Sequence, residues 1–247
     1  MQIRRLMVLA VAAAMAGAVW AETEESASTV RHWYAERVWQ KQREVAALKG
    51  KEVDLVMIGD SITHRIEKNN PAQWAKFTDG LTALNLGYDG DRTQHVIWRI
   101  DHGELDGFAA KVVTIMIGTN NNSAETTDPA NTAAAIRKIV GMVREKQPKA
   151  TIILHAIFPR GASAESAQAP RRARNDATNA LIRDFAEKDG NIVWLDLTDK
   201  FTDATGWVPQ TLMRDELHPT AAGYEIWSRE LTPIVKQISK TQGESNE

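Results

Sequence analysis

The 247-residue chain contains no cysteine. No disulfide and no thiolate metal site can form, so its stability must come from packing. Neither charge is in excess: 30 basic against 32 acidic residues leave −2. That balance lacks the basic surface which non-specific nucleic-acid binding needs, so no nucleic-acid partner is expected. No block of like charges forms a polybasic or acidic tail. Beyond the first 21 residues no apolar run is long enough to span a membrane. No repeat and no linker rich in Gly, Pro or Ser divides the chain. His95, His102 and His155 are scattered without metal-ligand spacing, so neither a metal nor another cofactor is expected. Tyrosine and phenylalanine are scarce, three and five residues, against eight tryptophans.

At the N-terminus, "MQIRRLMVLAVAAAMAGAVWA" carries Arg4 and Arg5 before an apolar stretch from Leu6 to Trp20, and Val19 and Ala21 suit the −3 and −1 positions of a cleavage site. This is the pattern of a secretory signal peptide over 1–21, too short and too rich in small residues for an anchor. Without those 21 residues and their two arginines, the chain becomes 226 residues at −4, a secreted or periplasmic protein with no stable membrane insertion. That length suits one domain over 22–247.

The body of the chain alternates. Five short apolar runs, 53–59, 81–87, 112–118, 151–158 and 191–197, read as strands buried on both faces. Between and after them lie helical patterns over 30–48, 93–100, 129–145, 171–188 and 220–238. In 171–188 the inner stripe reads Ala177, Ala180, Leu181 and Phe185, and Pro233 is expected to kink or interrupt the last helix. The segment 161–170 reads as a mobile surface loop, and the tail from Lys240 as frayed. Five strands alternating with helices predict an α/β fold in three layers, α/β/α, with ligands beyond the carboxyl ends of the strands.

Chemistry-bearing residues fall at those ends. Gly59-Asp60-Ser61 follows the first strand, Gly87 to Asp91 the second, and Asn120 the third; Asp215 and His218 precede the last helix. A serine hydroxyl needs a base to become a nucleophile, and His218 suits that task with Asp215 to orient it. The backbone N–H groups of Ser61 and Gly90 and the amide of Asn120 suit an oxyanion hole. Singly each signal is weak: Gly-Asp-Ser fits a helix cap, Asp-x-x-His a surface turn, and "GTNNN" a turn. Their order, each at a strand end or helix start, is what carries the argument.

Four blocks, "IGDSIT", "GYDGD", "IGTNN" and "DELHPT", resemble those of the SGNH hydrolases, the GDSL esterase/lipase family. The stretches "LNLGYDGDRTQHVIWRIDHGEL", "FPRG" and "LHPTAAGY" are most similar to platelet-activating-factor acetylhydrolase catalytic subunits. The resemblance spans roughly residues 50–235 on the single-domain scale. It implies a flavodoxin-like sandwich with a five-stranded parallel sheet. It also implies Ser61 as nucleophile, Asp215 and His218 as its triad partners, and Ser61, Gly90 and Asn120 as oxyanion donors. Those relatives pair into dimers, which makes a homodimer an expectation, although no pattern in this chain marks an interface. The G-x-S-x-G elbow of the α/β-hydrolases is absent.

The expected function is an exported serine esterase acting on short-chain, acetyl-type esters of small molecules or glycans through an acyl-enzyme. Its rivals are a phospholipid acetylhydrolase or lysophospholipase, a metal-dependent phosphoesterase, and a non-catalytic glycan-binding protein on the same fold. Clustered metal ligands are lacking for the phosphoesterase, and a binding protein has no use for Asp215 with His218. Asp60, Asp91, Arg92 and Trp207 are candidates for substrate contact. For Asp60 the expectation leans to a loop-holding role, and for Asp91 with Arg92 an ion pair weighs equally. His64 reads as an exposed helix residue, and Trp98, Trp194 and Trp227 as core.

Overall fold

The structure, a computed structural model, describes residues 32–244. The expected leader over 1–21 lies outside the described residues. In chain order the elements are α1 (His32–Ala47), β1 (Glu52–Gly59), α2 (Ser61–Lys68), α3 (Pro71–Phe77), β2 (Ala83–Gly87), α4 (Thr93–Asp101) and β3 (Ala109–Met116). These are followed by α5 (Pro129–Lys146), β4 (Thr151–His155), α6 (Ala169–Asp189), β5 (Ile192–Leu195), α7 (Thr198–Phe201) and α8 (Ala221–Glu244).

The five strands form one parallel sheet in the order β2-β1-β3-β4-β5. This is the flavodoxin-like winding, which reverses direction at β1 and opens a crevice beyond the ends of β1 and β3. The central strands are apolar on both sides because both sides are covered. Towards one face Val53, Val56, Ile58 and Val113 meet Val45 of α1, Val96 and Ile100 of α4, the Ile136–Val143 stripe of α5 and Ile182 of α6. Towards the other, Leu55, Met57, Val112 and Ile153 meet Ile62 and Ile66 of α2, Phe77 of α3, Phe201 of α7 and the Tyr224–Val235 stripe of α8. Each such side chain, fully buried, contributes roughly 1.5–3 kcal/mol from removal of apolar surface.

Several expectations need correction. The strands stop at Met116, His155 and Leu195, short of the apolar runs. Ile117, Ala156, Ile157 and Phe158 are still buried, but as strand-end loops. Helix α6 turns a polar face inward: Asn175, Thr178 and Asn179 are buried with Ile182 and Ala186, while Ala177, Ala180 and Leu181 are exposed. The reason is unpaired backbone beyond β4. Asn179 accepts from Ile157 N–H at 2.8 Å and donates to Ile157 C=O at 2.9 Å. Helix α8 runs through Pro233 without interruption and is helical to Glu244, while the last three residues of the tail lie outside the described residues. Trp227 is core, while Trp98 and Trp194 are half-buried.

Candidate active site

Strand β1 ends at Gly59 and the chain turns at once into α2. Asp60 is the N-cap, its Oδ1 accepting from Ile62 N–H at 2.9 Å. Ser61 is the first helical residue and is 5% exposed. Its backbone N–H is among those a helix leaves without an internal partner. Helix α2 presses hard on the strand ends. A Cβ at Gly87 would stand 2.4 Å from His64 N, so glycine there is required by the approach itself.

The loop after β2 carries Gly90 at φ +82°, in the left-handed region that glycine enters without strain. On one side, Asp89 is held by α2: Arg65 Nε donates at 3.2 Å, Lys68 Nζ at 3.4 Å, and His64 Nδ1 stands 3.5 Å away. His64 is buried rather than exposed. Burial lowers its pKa and Asp89 only partly opposes that. On the other side, Asp91 is wholly buried in a tight contact with Arg99, whose guanidinium also grips Glu104 at 2.8 Å and covers the ring of Tyr88. Asp91 therefore pairs with Arg99, not with the exposed Arg92, and its side chain cannot reach a substrate. Asp60 is also buried; burial raises it to about 7, with Ile62 N–H and Arg160 opposing.

Beyond β3, the turn holding Asn120 is pinned from both directions. Asn120 Nδ2 donates to Asp91 C=O at 2.8 Å, which ties it to the Gly90 loop. Next to it, Asn121 Oδ1 accepts from Thr93 N–H at 3.0 Å, and buried Asn122 donates to Asn175 Oδ1 and Thr178 Oγ1 of α6.

The last element is the turn before α8. His218 Nε2 lies 2.8 Å from Ser61 Oγ, and its Nδ1 lies 2.6 Å from Asp215 Oδ2. Asp215 Oδ1 also accepts the backbone N–H of His218 at 2.7 Å. Burial pushes the His218 pKa down and the Asp215 contact partly restores it, leaving a net lowering. For Asp215, burial acts upward but the bonds from His218 outweigh it, so its carboxyl stays below its usual range. A hydroxyl, an imidazole and a carboxylate in this line suit transfer of the hydroxyl proton to the imidazole. Tyr224 of α8 donates to Ile62 C=O at 2.8 Å and locks the helix after His218 onto the helix of Ser61.

The structure thus brings Ser61, His218 and Asp215 into one hydrogen-bonded line and sets the Gly90 and Asn120 loops side by side. Trp207 is half-buried under the Arg172 guanidinium, 5.0 Å from its ring centre. Sequence reasoning passed over three residues that hold these loops: Asp89, Arg160 and Glu216. The signal for Arg160 was present in "FPRG", a stretch read only for its likeness. Among the described residues, no cluster of three or more His, Cys, Asp or Glu could hold a metal, and no helix is long and apolar enough to cross a membrane.

Comparison with known proteins identifies the family and the fold. The GDSL-like Lipase/Acylhydrolase family matches residues 57–226. Platelet-activating factor acetylhydrolase IB subunit alpha2 of Rattus norvegicus is 33% identical over 201 residues, covering 81% of this chain and 83% of its own. The alpha1 subunit of Homo sapiens is 33% identical over 205 residues, covering 82% and 84%. Among solved structures, a GDSL-like lipase from Bacteroides thetaiotaomicron superposes with a TM-score of 0.66 at 18% identity, covering 81% of this chain and 97% of the other. An acetylxylan esterase from Geobacillus stearothermophilus does so with a TM-score of 0.58 at 19% identity, covering 76% and 94%. At these identities the two structures speak for the fold alone.

Proposed function

The chain belongs to the GDSL-like lipase/acylhydrolase family of ester-hydrolysing enzymes, and from that premise we propose that it is an exported serine esterase of short acyl groups. The observation that carries this reading is the unbroken Ser61–His218–Asp215 line, with contacts of 2.8 and 2.6 Å. Ser61 Oγ attacks the ester carbonyl while His218 Nε2 takes its proton. The tetrahedral oxyanion is met by the N–H groups of Ser61 and Gly90 and by the Asn120 amide, one of whose hydrogens is already given to Asp91. His218 then returns the proton to the leaving alcohol, and the acyl-enzyme is released by water activated at the same nitrogen. Asp215 orients the ring and stabilises its charged form.

Acetyl is the favoured acyl group because the 33%-identical relatives are named acetylhydrolases. The leader pattern over 1–21 supports the exported part of this reading, and with it esters of glycans or small molecules as the proposed substrates. A second reading, an acetylated phospholipid as substrate, is favoured by the names of those same relatives. The test is hydrolysis of p-nitrophenyl esters from acetate to palmitate by wild type and Ser61→Ala. Activity confined to the shortest esters and lost in Ser61→Ala is expected. Rates that climb with chain length favour the lipid, and full turnover by Ser61→Ala refutes the nucleophile.

A further inference from the structure

Arg160 is a buried cation with no part in the proposed chemistry. It is 3% exposed, yet no carboxylate lies within ion-pairing distance of it among the described residues. Its Nη1 donates to Thr119 Oγ1 at 3.0 Å, to Thr119 C=O at 3.4 Å and to Ser123 Oγ at 3.1 Å; its Nη2 donates to Gln168 Oε1 at 2.6 Å; its Nε has no partner. Burial pushes its pKa down to about 10, with Asp60 and Asp215 opposing at longer range. A buried charge without a counter-ion in contact is costly, and an apolar residue of similar size would serve the fold more cheaply. Its contacts explain what it does instead. Thr119 and Ser123 flank Asn120 on the turn after β3.

The neighbouring residues reach the other half of the site. Gly161 N–H donates to Glu216 C=O at 3.0 Å, and Gly161 C=O accepts from Val208 N–H at 3.1 Å. Ser166 Oγ makes a short contact to the Glu216 carboxylate, and Gln168 N–H donates to Ser166 Oγ at 3.1 Å. Glu216 sits between Asp215 and His218 at φ +62°, the one non-glycine residue with positive φ among those described. Such a conformation persists where the surroundings hold it, and here the surroundings are this segment. The loop expected to be mobile is thus a closed bracket with one arm on each half of the site.

We propose that Arg160 is a positioning residue: with Gly161 it fixes the Asn120 turn against the Asp215–His218 turn, so that oxyanion donor and imidazole address one carbonyl together. This rests on the esterase reading above. The test is a double-mutant cycle on kcat and KM per folded molecule, with p-nitrophenyl acetate, for wild type, Arg160→Met, Asn120→Ala and the double variant. Asn120→Ala should lower kcat by about 10²–10³-fold. Arg160→Met should lower kcat by about 10–10²-fold, the scale of a small misplacement, with little change in KM. In the Asn120→Ala background that loss should vanish, because the donor it positions is gone. Independent, multiplying losses overturn the proposal, as does wild-type kcat in Arg160→Met or a loss in KM alone. Arg160→Lys keeps the buried charge but not the fork. If Arg160→Met does not fold, the cycle is run with Arg160→Lys, which should show a smaller kcat loss with the same coupling; independence there also overturns it. Wild-type kcat in Asn120→Ala removes the oxyanion reading and this proposal with it, whereas a slow Asn120→Ala with independent losses removes this proposal alone.

Discussion

Asp215 Oδ2 lies 2.6 Å from His218 Nδ1, and the same carboxylate accepts the backbone N–H of His218. The imidazole is thereby held by ring and backbone at once, while its other nitrogen faces Ser61. A base must be neutral to take the serine proton. Burial lowers the His218 pKa from 6.5 and Asp215 only partly restores it, so the acid limb of kcat/KM is expected below pH 6.5, with a plateau through neutrality. Asp215→Asn removes the group that favours the charged ring. The limb should then move further to acid, and the plateau should fall by about 10²–10⁴-fold. A pH–rate profile of both enzymes checks this; a wild-type limb above 6.5, or a limb that moves to alkali in the variant, contradicts it.

The Gly90 loop rests on a buried ion pair. Asp91 is fully enclosed with Arg99, which Glu104 and the Leu86 carbonyl also bind. Breaking a buried pair from one side leaves a charge short of its partner, at a cost of about 3–5 kcal/mol. Asp91→Ala should fall near the lower end because Glu104 stays, about 3 kcal/mol by denaturant unfolding. It should also slow turnover, since Asn120 is bonded to the Asp91 carbonyl. A stability within ~0.5 kcal/mol of wild type, the range of an ordinary surface change, contradicts the buried-pair account.

Glycine is required where α2 meets the sheet. In Gly87→Ala the new Cβ would meet His64 N at 2.4 Å and the Thr63 backbone at 2.7 Å. Backbone cannot yield as a side-chain tip can, so the helix must shift, and Ser61 with it. A loss of about 10²-fold in kcat is expected, as for an ångström-scale misplacement. Gly141→Ala in α5 meets nothing within 4 Å. It should keep full activity and gain roughly 0.5–1 kcal/mol from helix propensity. Equal activity in both variants would show that the α2 contact does not set the position of Ser61.

How far this was legible in the sequence follows from what each signal depends on. The sheet was, because β1 and β3 are strand-length apolar runs that alternate with helical patterns, as a sheet covered on both faces requires. The loops carrying Ser61, Gly90, Asn120, Asp215 and His218 could be located because each follows a strand or precedes a helix. The boundaries at Met116 and His155 were not legible, since an apolar run does not record where backbone pairing stops. The inward face of α6 was misread for a related reason. Asn175, Thr178 and Asn179 look like surface residues until the unpaired backbone beyond β4 is known to need them. Asp91 was noticed, but its partner proved to be Arg99, two turns along α4, instead of the adjacent Arg92. The bracket around Arg160 rests on contacts to Ser123 and Thr119, 37 and 41 positions away, and on the bond from Gly161 to Glu216, which no local pattern displays.

His155 links the core to acid sensitivity. It is 1% exposed, stands edge-on to Trp227 at 5.6 Å, and neither ring nitrogen has a hydrogen-bond partner among the described residues. Burial alone holds its pKa down to about 3. The unfolded chain takes up this proton near pH 6.5, whereas the folded chain does not until about pH 3. The contribution of His155 is therefore fully present above 6.5 and is lost as pH falls between those values. One group should give a slope of about 1.4 kcal/mol per pH unit in that window. His155→Leu removes the titration and keeps an apolar contact with Trp227. Its unfolding free energy should fall less steeply between pH 6 and 4 than that of wild type, measured by urea titration at each pH. Parallel curves would mean that the folded protein opens to protonate His155, and that this part of the core is less closed than its packing implies.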